Sequence, residues 1–149
     1  MKNRENIFDK TEELLYEYRD IDIELREIEL QIEEIELYKG CGAINYEERT
    51  GQTFKINNPV EKEFLDKEKK LKKLEFEKKR LSIVKERVEN ALSLLSKDYK
   101  KIVELRYLTR PKCSWKKISE YTTMDKSTCS DICLNKIIPE LAHILFKYH

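Results

Sequence analysis

Between Asp125 and Ile137 the sequence DKSTCSDICLNKI sets Ser127, Thr128, Ser130, Asp131 and Asn135 among the apolar residues Cys129, Ile132, Cys133 and Ile137. On a helix the apolar group falls on an inner face, whereas Ser127, Ser130, Asp131 and Leu134 point outward, with Thr128 and Asn135 at the edge. Short hydroxyl, amide and carboxylate side chains on an exposed helix face are the groups that hydrogen-bond base edges in a DNA major groove. Lys112, Lys116, Lys117 and Lys126 lie on the flanking turns. There their ammonium groups can neutralise phosphates and supply the salt-dependent, sequence-blind part of an affinity. Arg110 is a secondary candidate for the same task. Asp131 pulls the other way, since a carboxylate repels phosphates, although it can accept a hydrogen bond from a cytosine amino group.

Other chemistries find less support. Cys129 and Cys133 stand one turn apart and could join Cys113 and His143 around zinc, but the paired C-x-x-C spacing of such sites is absent and cysteine is a common small core residue. No metal and no cofactor is expected. His143 and His149 have no Ser, Cys or carboxylate at triad spacing, and no phosphate loop is present, so an enzyme is the weakest class. Trp115 could stack on a base, yet just inside a scaffold helix it suits the core better.

These residues need elements to hold them. SKDYKKIVELRYLTR, from Ser96, opens on a Ser cap and places Tyr99, Ile102, Val103 and Tyr107 on one face, with Pro111 ending the helix. Ser114 caps the next helix, which buries Trp115 and Ile118 and runs to about Tyr121. Asp125 caps a third, starting at Lys126. Pro139 removes a helical hydrogen bond, so this last helix should kink or end near Ile138 before a terminal helix, ELAHILFKYH. The aliphatic face of Leu134, Ile138, Leu141 and Leu145 lies away from the inner face and could pack on the N-terminal helices or form a dimer seam.

Upstream, Ile7, Leu14, Ile21, Ile28 and Ile35 recur every seven residues, with Thr11, Tyr18, Leu25 and Ile32 four positions after the first four. This heptad seam predicts a helix from Asn6 to Lys39, roughly 50 Å long at about 1.5 Å per residue, which must pair to bury its seam. A second stripe, Tyr16, Ile23, Leu30 and Leu37, lies roughly opposite and favours a bundle or an oligomer. Gly40 and Gly42 mark the expected stop. The connection 40–57 fits either a small β-hairpin, with Ile44, Tyr46, Phe54 and Ile56 around Thr50-Gly51, or an unstructured loop. NPVE, with Asn58 as cap and Pro59 in the first turn, starts a second long helix. Its Val60, Phe64, Leu71, Leu74, Leu81, Val88 and Leu92 keep coiled-coil spacing, interrupted by Lys67, Lys78 and Lys85. The lysine-rich run from Lys67 to Arg80 reads as a solvated, partly paired face beside an acidic neighbour rather than as a nucleic-acid arm.

Charged residues make up 40% of the 149, with three Gly and three Pro, a composition of long solvated helices rather than of a compact α/β enzyme. The net charge of +1 hides an asymmetry: residues 1–57 carry 8 basic and 15 acidic groups (−7), residues 58–96 carry 11 and 8 (+3), and residues 97–149 carry 11 and 6 (+5). The C-terminal third is the part that suits a polyanion. MKNRENIFDK has no apolar signal core, and no apolar run approaches the ~20 residues that span a bilayer. The expected setting is the cytoplasm, with the four cysteines reduced and no membrane partner.

ALSLLSKDYKKIVELRYLTRPKCSWKKISEYTTMDKSTCSDICLNKIIPEL resembles the C-terminal promoter-binding region of bacterial sigma factors, with LRY ending one helix, SWKKIS in the next and KSTCSDI at the recognition helix. Thr123 stands where such motifs favour Gly, and Ser119 where they favour Ala. A wider resemblance, through YRDIDIELREIELQIEEIE and INNPVEKEFLDKEKKLKKLE to the C-terminus, is to RinA/ArpU-type regulators of late genes in phages of Gram-positive bacteria. That resemblance implies binding to promoter DNA near the host nucleoid, upstream of packaging or lysis genes, and activation of their transcription.

The expected protein is all-α, with a helical coiled-coil segment over 1–95 and a sigma-like helix-turn-helix domain over 96–149. Double-stranded promoter DNA, RNA polymerase and further copies of the chain through the N-terminal helices are its expected partners. Two rivals share these features: a small terminase-like DNA-packaging protein, and a polymerase-binding module that does not touch DNA.

Overall fold

The structure is a computed structural model that describes residues 2–47 and 59–148, with side chains for 6–38 and 60–148. It is all-α, and no strand occurs among the described residues. The elements are α1 (Lys2–Glu47), α2 (Pro59–Ser93), α3 (Lys97–Val103), α4 (Trp115–Thr122), α5 (Lys126–Ile132) and α6 (Ile138–Phe146), with π-helical turns at Glu104–Leu108 and Cys133–Ile137. Among the described residues no helix is long and apolar enough to cross a membrane.

α1 runs on past Gly40 and Gly42 to Glu47, which corrects the expected stop at Gly40. Glycine ends a helix when the chain turns into the left-handed region, and no described glycine has positive φ. Inside a helix it costs about 1 kcal/mol without breaking it. The hairpin reading fails for Ile44 and Tyr46, which are helical; Phe54, Ile56 and the Asn58 cap lie outside the described residues. Pro59 does open α2.

Contacts group the chain into two compact units, residues 23–82 and residues 1–22 with 83–149. In the first, Ile28 and Ile35 of α1 and Leu71 and Leu81 of α2 are buried. Lys78 meets Glu29 at 3.1 Å and the Lys67 ammonium lies 5.9 Å from the Tyr38 ring centre, so the two helices run in opposite directions. A seam lysine thus gains an acidic partner on α1, whose carboxyl it holds below the usual carboxylate range.

In the second unit, Leu15 of α1, Val88, Ala91 and Leu92 of α2, and Leu95 just after it share one core with Ile102, Val103, Tyr107, Ile118, Cys129, Cys133, Ile137, Leu141 and Leu145. Burying each such aliphatic chain contributes about 1.5–3 kcal/mol. Polar ties join the same elements: Lys85 to Asp22 at 2.6 Å, Tyr18 to Glu89 at 3.3 Å and Arg87 to the Leu145 carbonyl. Ile138, Leu141 and Leu145 belong to this core, whereas Leu134 is exposed.

Candidate nucleic-acid interface

Three short helices carry the residues in question, and two of them start on a serine whose side chain caps the first turn. The Ser96 hydroxyl accepts from the Tyr99 N–H at 3.3 Å, and the Ser114 hydroxyl accepts from the Lys117 N–H at 3.3 Å. Asp125 occupies the cap position of α5 in an extended conformation, and its carbonyl accepts from Cys129 N at 2.9 Å. Its side chain makes no cap bond.

Between α4 and α5 the chain turns at Thr123, which sits in the left-handed region at φ 58°, ψ 19°. A β-branched residue is strained there, and the turn holds because both flanks are anchored. Ile118 and Cys129 are fully buried. The Thr122 hydroxyl lies 3.3 Å from the Cys129 sulfur and donates to the Ile118 carbonyl at 2.8 Å, tying the end of α4 to the start of α5.

This packing decides which side of α5 and of the π-helical turn after it meets solvent. Cys129, Cys133 and Ile137 face the core, while Ser127, Thr128, Asp131 and Asn135 are exposed and Ser130 is half-buried. Lys112, Lys116, Lys117 and Lys126 are exposed as well, and none is in an ion pair among the described residues. Arg110 differs. It pairs with Asp20, whose carboxylate also takes Arg19, and these two guanidinium groups hold Asp20 below the usual carboxylate range. An arginine committed to α1 is less available to a phosphate.

Pro139 breaks the helix less abruptly than its chemistry suggests. The departure from α-geometry begins at Cys133, where the π-helical turn carries the Ile138 N–H to the Cys133 carbonyl. Pro139 then falls in the first turn of α6, where no N–H is needed. Leu134 and Asn135 therefore emerge from the wider turn, and both are exposed.

Two arrangements escaped sequence reasoning. The Arg106 guanidinium stacks 4.4 Å above the Trp115 ring centre and donates to the Cys113 carbonyl at 3.2 Å, so Trp115 is a half-buried prop for the 109–114 connection. Tyr107 donates to Glu12 at 2.8 Å and lies 3.5 Å from the Cys133 sulfur. Burial raises the pKa of both the Tyr107 hydroxyl and the Cys133 thiol, leaving both neutral. Cys113, Cys129 and Cys133 are buried free thiols, and His143 is exposed on α6.

A family model described as "Protein of unknown function (DUF722)" matches residues 7–141. No curated protein and no solved structure matches the chain.

Proposed function

The chain belongs to the DUF722 family of proteins of unknown function, and we propose that it is a non-enzymatic, sequence-specific DNA-binding regulator of transcription that activates late phage genes. The carrying observation is the outward face of α5 and the π-helical turn that follows it, where Ser127, Thr128, Asp131 and Asn135 are exposed over a core of Cys129, Cys133 and Ile137. Lys116, Lys117 and Lys126 stand at the starts of α4 and α5, and Lys112 stands in the connection before them. In this reading the two helices act as a sigma-like helix-turn-helix: α5 lies in the major groove, its hydroxyls and the Asn135 amide of the following turn meet base edges, and the lysines hold phosphates. The N-terminal helices bring copies together, and the site of action is the bacterial host cytoplasm.

A polymerase-binding reading has one observation in its favour, the exposure of Leu134 beside Asp131, since an apolar side chain next to a carboxylate suits a protein surface as well as a thymine methyl.

The deciding experiment is binding to phage and host genomic fragments at two salt concentrations, with Lys126→Ala and Ser127→Ala/Thr128→Ala beside wild type. Enrichment of one upstream region that the double substitution abolishes, with a shallower salt dependence in Lys126→Ala, is the expected result. Uniform or absent binding of wild type sinks the DNA reading. A fragment bound selectively that does not raise transcription with purified polymerase removes the activator part alone.

A further inference from the structure

Within residues 23–82, α1 and α2 bury one side of each helix and leave apolar residues on the other. On α1, Ile23, Leu30 and Leu37 are 70%, 43% and 68% exposed. Leu30 and Leu37 each stand two positions beyond a buried seam isoleucine, a rotation of about 200° at 3.6 residues per turn. On α2, Leu65 and Phe76 stand about three turns apart on one side and are 53% and 72% exposed, roughly opposite the buried Leu71 and Leu81. Large exposed apolar residues in repeated register mark an interaction surface.

The charges beside the two stripes differ in sign. Glu27 and Glu34 flank the α1 stripe, and Lys69, Lys72 and Lys79 flank the α2 stripe, all exposed. Laying α1 on α1 sets glutamates against glutamates, and laying α2 on α2 sets lysines against lysines. Only α1 on α2 satisfies both the apolar and the charged parts.

We infer that residues 23–82 bind a second copy of the chain, with the glutamate-flanked Leu30 stripe of α1 in one copy packed on the lysine-flanked Phe76 stripe of α2 in the next. The two stripes lie on opposite sides of the helix pair, so the contact is head-to-tail and the assembly holds more than two copies, as a ring or an open chain. The inference deepens the self-association named above and is independent of DNA binding.

The test is the mass of the full chain by sedimentation equilibrium across concentration, with circular dichroism confirming that each variant keeps its helix content. Wild type should exceed twice 18.0 kDa. Glu27→Lys/Glu34→Lys and Lys72→Glu/Lys79→Glu should each fall to the monomer mass, and an equimolar mixture should regain assembly, because each then supplies the complement of the other. Leu30→Ser and Phe76→Ser, at exposed positions that do not support the core, should lose assembly without loss of helix even if the charge variants fold poorly. A wild type that stays monomeric, or a mixture of folded charge variants that stays monomeric, overturns the inference. So does a Lys72→Glu/Lys79→Glu variant that keeps its mass and loses binding to DNA fragments, which assigns the face to nucleic acid. An assembled chain that binds no DNA leaves the inference standing and removes only the regulator reading.

Discussion

Tyr107 donates a 2.8 Å hydrogen bond to Glu12, joining residues 95 positions apart and tying α1 to the turn that follows α3. The Tyr107 ring also meets Tyr16 edge-on, with centroids 5.4 Å apart. The beginning of the chain is therefore part of the scaffold on which α4 and α5 stand.

Tyr107→Phe keeps the ring and removes the hydroxyl. A hydrogen bond to a charged group is worth about 1.5–3 kcal/mol, and the substitution should lower unfolding stability by that order in urea titrations at pH 7. The pH dependence carries a second signature. Burial raises the pKa of Tyr107 above its ordinary 10.0 and that of Cys133 above its ordinary 9.0. The unfolded chain therefore releases protons at alkaline pH that the folded chain keeps, and stability falls as pH rises above about 9. Tyr107→Phe should make that fall shallower above pH 10; an unchanged alkaline slope would show that Tyr107 ionises alike in both states.

Asp20 gives the opposite sign at the acid end. Hydrogen bonds from Arg19 and Arg110 hold its pKa below the ordinary 3.8, so its contribution is present above that pH and is lost as pH falls through the folded value. The melting temperatures of wild type and Asp20→Asn should differ by a constant amount from pH 5 to 7 and converge below pH 4. A difference that persists in acid would place the effect in packing rather than in charge.

Much of the local structure was legible in the sequence because it rests on short-range rules. The isoleucine heptads mark the buried Ile21, Ile28 and Ile35, Pro59 marks the start of α2, Ser96 and Ser114 mark caps, and the Cys129, Cys133 and Ile137 spacing marks the inner face of α5 and the turn after it. What covers a stripe was not legible. Periodicity puts Thr11 on the seam, but does not say that it is fully buried, or that Leu15, one position past the seam's Leu14, is fully buried and shares a core with residues a hundred positions away. The Arg110 ion pair was not legible for the same reason, since nothing near it in the chain announces Asp20. The glycines of α1 misled because their local signal depends on a left-handed turn that the chain does not take.

Thr123 is the described non-glycine residue with positive φ, and a β-branched side chain pays for that conformation where glycine would not. The left-handed region costs an L-residue about 1–2 kcal/mol, partly offset by the greater entropy that glycine loses on folding. Thr123→Gly should raise stability by about 0.5–1 kcal/mol, read from the denaturation midpoint at unchanged slope. Among the described residues the Thr123 hydroxyl bonds only the neighbouring Thr122 carbonyl, at 2.6 Å, so little is lost in exchange. A destabilised variant would mean that the turn relaxes differently once the side chain is gone.

Asp131 separates positioning from readout on the proposed DNA face. It is exposed on α5 beside the hydroxyls of Ser127 and Thr128, and a carboxylate there repels the phosphate backbone whatever the sequence. If it also accepts from a cytosine amino group, it discriminates between bases by about 1–3 kcal/mol. Asp131→Ala should therefore tighten binding to random duplexes while binding to the preferred fragment weakens, so the ratio between them narrows about 5- to 150-fold by competition titration. Lys126→Ala should weaken both equally and reduce the salt slope by about 0.9. Equal tightening on every duplex by Asp131→Ala would reduce Asp131 to a repulsive bystander and leave base readout to Ser127, Thr128 and Asn135.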